Sequence, residues 1–228
     1  MKKPLTIAID GPAGAGKSTV ARMLAQQLGY LYVDSGAMYR AVALHARRQS
    51  VAETESDQIA ALARSTPIEF RAAESDGPQR VLLAGEDVTE AIRQPEIARL
   101  ASVVSAIPGV RAALIVQQQS MGASGGVVME GRDIGTVVLP AAEVKVFLTA
   151  SQDERAARRH ADLSARGNIA NIEDVRAELS ERDRRDATRA VSPLFAAEDA
   201  VVIESDEMAP ETVVDEILNL INDRRHET

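Results

Sequence analysis

The stretch Ile7-Ala8-Ile9-Asp10-Gly11-Pro12-Ala13-Gly14-Ala15-Gly16-Lys17-Ser18-Thr19 limits what this chain can fold into more than any other. An apolar, β-rich run enters a loop of the form G-x-x-x-x-G-K-S, and a helical pattern from Val20 to Leu28 follows at once. Such a loop needs a strand before it and a helix after it, and both are present. Gly11, Gly14 and Gly16 can adopt positive φ and carry no Cβ, so backbone N–H groups can converge on phosphate oxygens. The helix adds the orphan N–H groups and positive dipole end of its first turn. Gly11 to Thr19, with Pro12, Ala13 and Ala15 between the glycines, is therefore the expected cradle for a nucleoside triphosphate. Lys17 is expected to reach the β- and γ-phosphates, and the Ser18 hydroxyl to ligate Mg2+.

The pattern around this loop is α/β. A strand at Leu5–Asp10 and a helix ended by Gly29 precede a second strand, Tyr30–Val33, and a helix from about Ala37 to Arg48. Strand and helix alternating at this spacing predict a parallel sheet with helices on its faces. Ligands of such sheets lie beyond the carboxyl ends of the strands, which assigns the glycine loop and Asp34-Ser35 to one edge. Residues 51–65 read as a polar helix. Pro67–Arg71 and Arg80–Ala84, around the turn-rich Glu74-Ser75-Asp76-Gly77-Pro78, read as an inserted antiparallel hairpin. Two helices, Pro95–Ala106 and Val110–Met121, are expected on either side of a break at Pro108-Gly109. Gly125–Glu130 and Val144–Leu148 are further core strands. Ser151 to Arg189 holds nine arginines and nine acidic residues and almost no β signal. A last strand at Ala200–Ile203 and a helix at Pro210–Ile221 follow, with fraying expected from Asn222.

Composition excludes several classes. The 228 residues, 45% of them hydrophobic, suffice for one substantial core with insertions. No apolar run approaches the roughly 20 residues of a membrane span. Met1-Lys2-Lys3 and Leu5–Ile9 begin like a signal peptide, but Asp10 interrupts the apolar run. The absence of cysteine fits a cytoplasmic protein. A formal net charge of −8 argues against a nucleic-acid partner. Of the 26 basic residues only Lys2, Lys3, Lys17 and Lys145 are lysine, and arginine is the residue for planar, bidentate grips on phosphate.

Three further constellations carry charge to places where substrates bind. Arg182, Arg185, Asp186 and Arg189 fall at i, i+3, i+4 and i+7, as Arg155, Arg158, Arg159 and Asp162 do earlier. Pairs of this kind stabilise a helix by only ~0.2–0.5 kcal/mol each. Two readings therefore stand: a solvated, salt-bridged face, or an arginine-bearing cover over bound phosphates. In Asp34-Ser35-Gly36-Ala37-Met38-Tyr39-Arg40, Ser35 stands where an N-cap would. That stretch is either a capped helix with a surface arginine or part of an acceptor site. Glu130-Gly131-Arg132-Asp133-Ile134-Gly135-Thr136 places three charges at the end of a buried strand, which is costly without a ligand. Glu130 can hold Mg2+ directly or through water.

Taken together, Gly11–Ser18, Asp34–Arg40, Glu130–Thr136 and Glu181–Val191 resemble the bacterial cytidylate kinase family, in order and across about residues 5–222. The resemblance implies an α/β P-loop nucleoside-monophosphate kinase fold. Its five-stranded parallel core would carry a monophosphate-binding insertion with a small antiparallel sheet and a helical lid. The implied boundaries are 1–36 core, 37–108 insertion, 109–150 core, 151–189 arginine-rich lid and 190–228 core. The implied reaction is transfer of the γ-phosphoryl group of ATP to CMP or dCMP. Composition, separately, leads to the expectation of a cytoplasmic protein with no nucleic-acid or membrane partner, and nothing in the sequence requires more than a monomer. By the same resemblance Arg40, Arg132 and Arg189 grip the acceptor phosphate beside Ser35. Ser102, Arg111 and Asp133 read the cytosine, Arg182 and Asp186 contact the sugar, and Arg158 falls in the lid. Lys17, Arg132, Arg158 and Arg189 are the catalytic set. The acceptor is already an anionic oxygen, so arginines without a Ser-His-Asp array suit the chemistry. A small-alcohol kinase, with Asp34 as base, and a nucleotide-dependent switch are the competing classes.

Overall fold

In the computed structural model, which describes residues 4–71, 79–165, 167, 170–189 and 191–226, β1 (Thr6–Asp10) is the hub of a parallel sheet. It pairs with β6 (Val127–Gly131) on one side and β7 (Val144–Thr149) on the other. β2 (Leu31–Asp34) lies outside β6, and β8 (Val201–Glu204) outside β7, giving the order β2-β6-β1-β7-β8. A strand paired on both edges and covered on both faces reads as a continuous apolar run, as Ile7-Ala8-Ile9 does. The five-stranded parallel core expected from the sequence is therefore present.

The chain divides into two compact units, Met1–Tyr32 with Gly125–Thr228 and Val33–Ser124. In the first, α1 (Lys17–Leu28) ends at Gly29, whose left-handed φ of 65° lets its N–H reach the carbonyls of Ala25 and Gln26. Leu24 of α1 and Val214 and Ile217 of α8 (Pro210–His226) pack on Ile7, Ile9, Val128, Val146 and Leu148 to form the main core. After β6 comes a π-helical turn, Ile134–Val138, and after β7 come α6 (Gln152–Ala165) and α7 (Ile172–Thr188). β1, β6, β7 and β8 end on one edge of the sheet and deliver the glycine loop, Arg132-Asp133, α6 and Ser205, respectively.

The second unit holds α2 (Ser35–Arg48), α3 (Ser56–Ser65), α4 (Pro95–Val104) and α5 (Pro108–Gly122), with β3 (Ile68–Arg71), β4 (Arg80–Leu83) and β5 (Glu86–Asp87). α5, expected from residue 109 onward to be core, lies within this unit.

Four local expectations change. The hairpin is a three-stranded antiparallel sheet, because Ala84-Gly85 turns the chain back and β5 pairs with β4. The turn expected at Glu74–Pro78 lies outside the described residues. Pro108 and Gly109 do not separate two helices; Pro108 opens α5, where its missing N–H has no partner to lose. The helix expected at 51–65 begins only at Ser56. α8 continues past Asn222 to His226. Among the described residues no single helix is long and apolar enough to cross a membrane.

Candidate active site

The glycine loop is seated by close backbone approach. Gly11 has φ +147°, and a Cβ there would stand 1.9 Å from the Leu148 carbonyl oxygen. Only glycine lets the end of β1 pass β7 this closely. Gly16, at φ 88°, leads into α1, and its carbonyl accepts the N–H groups of Thr19 and Val20. Ser18 is exposed on the first turn of that helix.

Lys17 is almost wholly enclosed, and its Nζ donates to the Pro12 carbonyl at 2.7 Å. Burial pushes its ammonium down to about 7, and the positive charges of Arg132 and Arg182 act in the same direction; Glu130 and Asp10 oppose them. The loop thus holds its cation poised for an anion that would restore its charge.

Beyond β6, the structure gathers the first unit's predicted residues. Glu130 is buried and accepts a hydrogen bond from the Tyr32 hydroxyl. Arg132 Nε donates to Asp186 Oδ2 at 2.8 Å, so an acid on α7 holds the guanidinium that follows β6. Burial works against the charge on Asp186, but Arg132, with Arg182 and Arg189, outweighs it and holds the carboxyl below its ordinary value. Arg189 Nη2 lies 3.7 Å from Asp133 Oδ1, and its Nε donates to the Ser192 carbonyl. Arg182, Asp186 and Arg189 are thus grouped with Arg132, Asp133 and Lys17. Arg189 is not on the helix with the others: α7 stops at Thr188 and Arg189 is its extended C-cap. Ala190, the next residue of that motif, lies outside the described residues.

Arg158 stands elsewhere on the loop. Its Nη2 donates to the Ser205 carbonyl at 2.6 Å, its Nη1 to Ser205 Oγ, and its Nε to Glu154. A Cβ on Gly16 would be 3.7 Å from its Nη1. It flanks the glycine loop from α6 without joining the Arg132–Asp186 group.

In the second unit the N-cap of α2 is Asp34, not Ser35. Asp34 Oδ1 accepts the Ala37 N–H at 2.9 Å, while Oδ2 takes Arg40 Nη2 at 2.6 Å. A carboxylate accepts two such donors better than a hydroxyl, so Ser35 becomes the first helical residue and is buried. Gly36 leaves room for the pair, since a Cβ there would lie 3.2 Å from Arg40 Nη1. Arg111 is 2% exposed on α5, with its guanidinium 5.7 Å from the centre of the Tyr39 ring. Ser102 is half-buried on α4.

Sequence reasoning missed three groups. Asp10, 5% exposed, caps the turn at the end of the Glu130–Thr136 stretch: its oxygens accept Ile134 N–H at 2.8 Å and Gly135 N–H at 2.7 Å. Burial pushes its carboxyl up to about 6, with the Asp133 charge adding to the rise and the two N–H groups and Lys17 opposing it. A charge ending a buried strand was the available signal. Arg155 and Asp183, paired at 2.6 Å, were visible only as members of charged helices.

A family model described as cytidylate kinase matches residues 7–223. A cytidylate kinase of Desulfitobacterium hafniense is 50% identical over 224 residues, covering 98% of this chain and 95% of that protein. One from Pelotomaculum thermopropionicum is 52% identical over 221 residues, covering 97% of each. Among solved structures, a shikimate kinase from Bacteroides thetaiotaomicron is 13% identical with a TM-score of 0.50, over 96% of this chain and 98% of that one. At that identity the likeness is one of fold.

Proposed function

This chain belongs to the cytidylate kinase family, and from that membership we propose that it transfers the γ-phosphoryl group of ATP to CMP or dCMP, yielding ADP and CDP or dCDP. The observation that carries the reading is half identity to cytidylate kinases across almost the whole chain.

In this reading Gly11 to Thr19 hold the donor's phosphates, and Lys17 moves from the Pro12 carbonyl to the β- and γ-phosphates. A phosphate oxygen of CMP attacks the γ-phosphorus; that P–O bond forms as the bond to the β-phosphate oxygen breaks. No general base is needed, because the attacking oxygen is already anionic. The work is to hold two like-charged groups in line and offset their charge. Arg132 and Arg189 are assigned the acceptor phosphate, with Asp186 passing from Arg132 to the sugar beside Arg182. By family resemblance alone, Arg40 and Ser35 are proposed as phosphate-side contacts, and Ser102, Arg111 and Asp133 as readers of the base. Arg158 is assigned the transferring phosphoryl group.

Mg2+ fits this donor set. Ser18 offers a hydroxyl and Glu130 a carboxylate, and no cluster of three His, Cys, Asp or Glu side chains is present among the described residues. Few protein ligands suit an ion held mainly by phosphates and water. Ser18 and Glu130 would hold the ion, directly or through water, and it would supply neutralisation of the charge that develops on the phosphates. The absence of cysteine favours a cytoplasmic setting, and a monomer suffices for the chemistry.

The reading is tested by ADP release from Mg-ATP with CMP, dCMP, UMP, AMP, GMP, shikimate and gluconate offered separately. Turnover concentrated on CMP and dCMP is expected; turnover with none of the monophosphates contradicts it. Base choice has its own test. Asp133 can accept from the cytosine amino group and repel the uracil carbonyl. Asp133→Ala is expected to narrow the CMP-to-UMP ratio of kcat/KM, and an unchanged ratio removes that role.

A further inference from the structure

Among the described residues of the charged segment after β7, Arg155–Asp183 is the most enclosed of the ion pairs that the reaction does not use. Arg155 is 8% exposed, an unusual state for a residue on the outer face of an α/β fold. Its Nε donates to the Ala150 carbonyl at the end of β7, at 3.0 Å. Its Nη1 donates to the Ala13 carbonyl in the glycine loop at 3.2 Å and to Asp183 Oδ2 on α7 at 2.6 Å. One guanidinium therefore touches the sheet edge, the glycine loop and α7.

A second observation places the same helices on the same loop. A small apolar cluster, separate from the main core, consists of Ala13 from the glycine loop, Ala156 from α6, and Val175 and Leu179 from α7. The α6 backbone also presses directly on the loop. A Cβ on Gly14, at φ +79°, would meet the Arg155 carbonyl oxygen at 2.9 Å. On α7, Asp183 is flanked by Arg182 and stands within one turn of Asp186, which holds Arg132. Hydrogen bonds thus run from Ala13 through Arg155 to Asp183, and from there one turn of α7 leads to Asp186.

We propose that the Arg155–Asp183 pair is a positioning link that fixes α7 to the glycine loop, so that Arg182 and Asp186 are set relative to the phosphates the loop holds. The inference rests on the phosphoryl-transfer reading of this site and adds residues to it that touch neither nucleotide. A planar guanidinium suits the task because it serves two carbonyls and a carboxylate from one fixed frame. Removing the carboxylate leaves a buried cation bound only to carbonyl dipoles, and α7 loses its polar tie to the loop.

The experiment uses the full chain as native protein, Asp183→Asn, Asp183→Glu, Arg155→Lys and the double variant Arg155→Lys/Asp183→Asn. Steady-state kinetics with Mg-ATP and CMP are measured well below each protein's melting temperature, alongside binding of a non-hydrolysable ATP analogue. Misplacement of reacting groups is expected to lower kcat about 10- to 100-fold in Asp183→Asn, while affinity for the analogue changes less than about threefold. Asp183→Glu is expected to recover part of the loss, and the double variant to be no worse than the poorer single one. A lowered melting temperature with kcat within about threefold of native, or single losses that multiply in the double variant, overturns the link. A native chain that does not turn over CMP instead overturns the reaction assignment. The link is then decided by hydrogen exchange. The analogue is expected to protect α7 amides in the native chain and not in Asp183→Asn, and equal protection in both contradicts it.

Discussion

At the residue scale, the site is defined by charged groups held away from their ordinary protonation. Lys17 titrates at about 7 in the fold, against 10.5 when exposed. Between those values the unfolded chain carries a proton that the folded chain lacks. The empty protein therefore gains stability as pH rises from about 7 towards 10.5 and loses it as pH falls back through that window, with no further change from this group below about 7. Bound phosphates favour the ammonium, so nucleotide binding at about pH 8 is expected to draw a proton from the buffer. Calorimetry in buffers of different ionisation enthalpy reads this directly. Binding heats that do not depend on the buffer contradict it. Lys17→Ala or Arg132→Ala is expected to lower kcat/KM by orders of magnitude with the fold intact, since the proposed function gives Lys17 to the transferring phosphate and Arg132 to the accepting one; normal turnover removes the assignment. Asp10→Asn replaces one of two acceptors with a donor facing a buried N–H. It is expected to cost about 1–3 kcal/mol, checked by chemical denaturation. Gly11 was readable because its backbone geometry, with φ +147° beside the Leu148 carbonyl, allows few alternatives at that position. Asp10 and the Arg155–Asp183 pair were not, because their partners are 124 and 28 residues away in the chain.

Among the elements, legibility followed how local the determining interaction is. The parallel strands declared themselves as apolar runs, and α1 ended at the glycine that a left-handed cap requires. α5 was misjudged at its start because proline signals both a break and a first turn, and only the fold chooses. β5 escaped because Glu86–Asp87 is two residues long and polar; its pairing comes from β4. Asp34 displaced Ser35 as the cap because the same carboxylate also binds Arg40, a demand set by tertiary structure. Among the described residues, the cluster that holds α6 and α7 has four buried apolar members, one of them Ala13 of the glycine loop, whereas the cluster around β1 has seventeen. Local stability follows buried apolar contact, so α6 and α7 amides are expected to exchange with deuterium well before those of β1, β6 and β7. Exchange of β1 at the rate of α7 contradicts that ordering.

For the whole molecule, the informative fact is distribution. Each of the four motifs taken alone leaves its function open, and the phosphate loop specifies only a bound triphosphate. Their order along one chain narrowed the class, and half identity across that chain places it in the cytidylate kinase family. The chain is acidic overall at −8, yet Arg132, Arg182 and Arg189 gather around Asp133 and Asp186 at the sheet's carboxyl edge. A locally cationic site on an acidic protein suits small anionic substrates better than a polyanion. The Gly11–Ser18 loop is on this account the donor half of a phosphoryl transfer whose acceptor is a cytidine monophosphate. The most direct measurement follows the phosphoryl group itself, using ATP isotopically labelled in its γ-phosphate with CMP and Mg2+. The account predicts label in the β-phosphate of CDP, formed one for one with ADP. Label released as inorganic phosphate, or retained in ATP while CMP is unchanged, would contradict it.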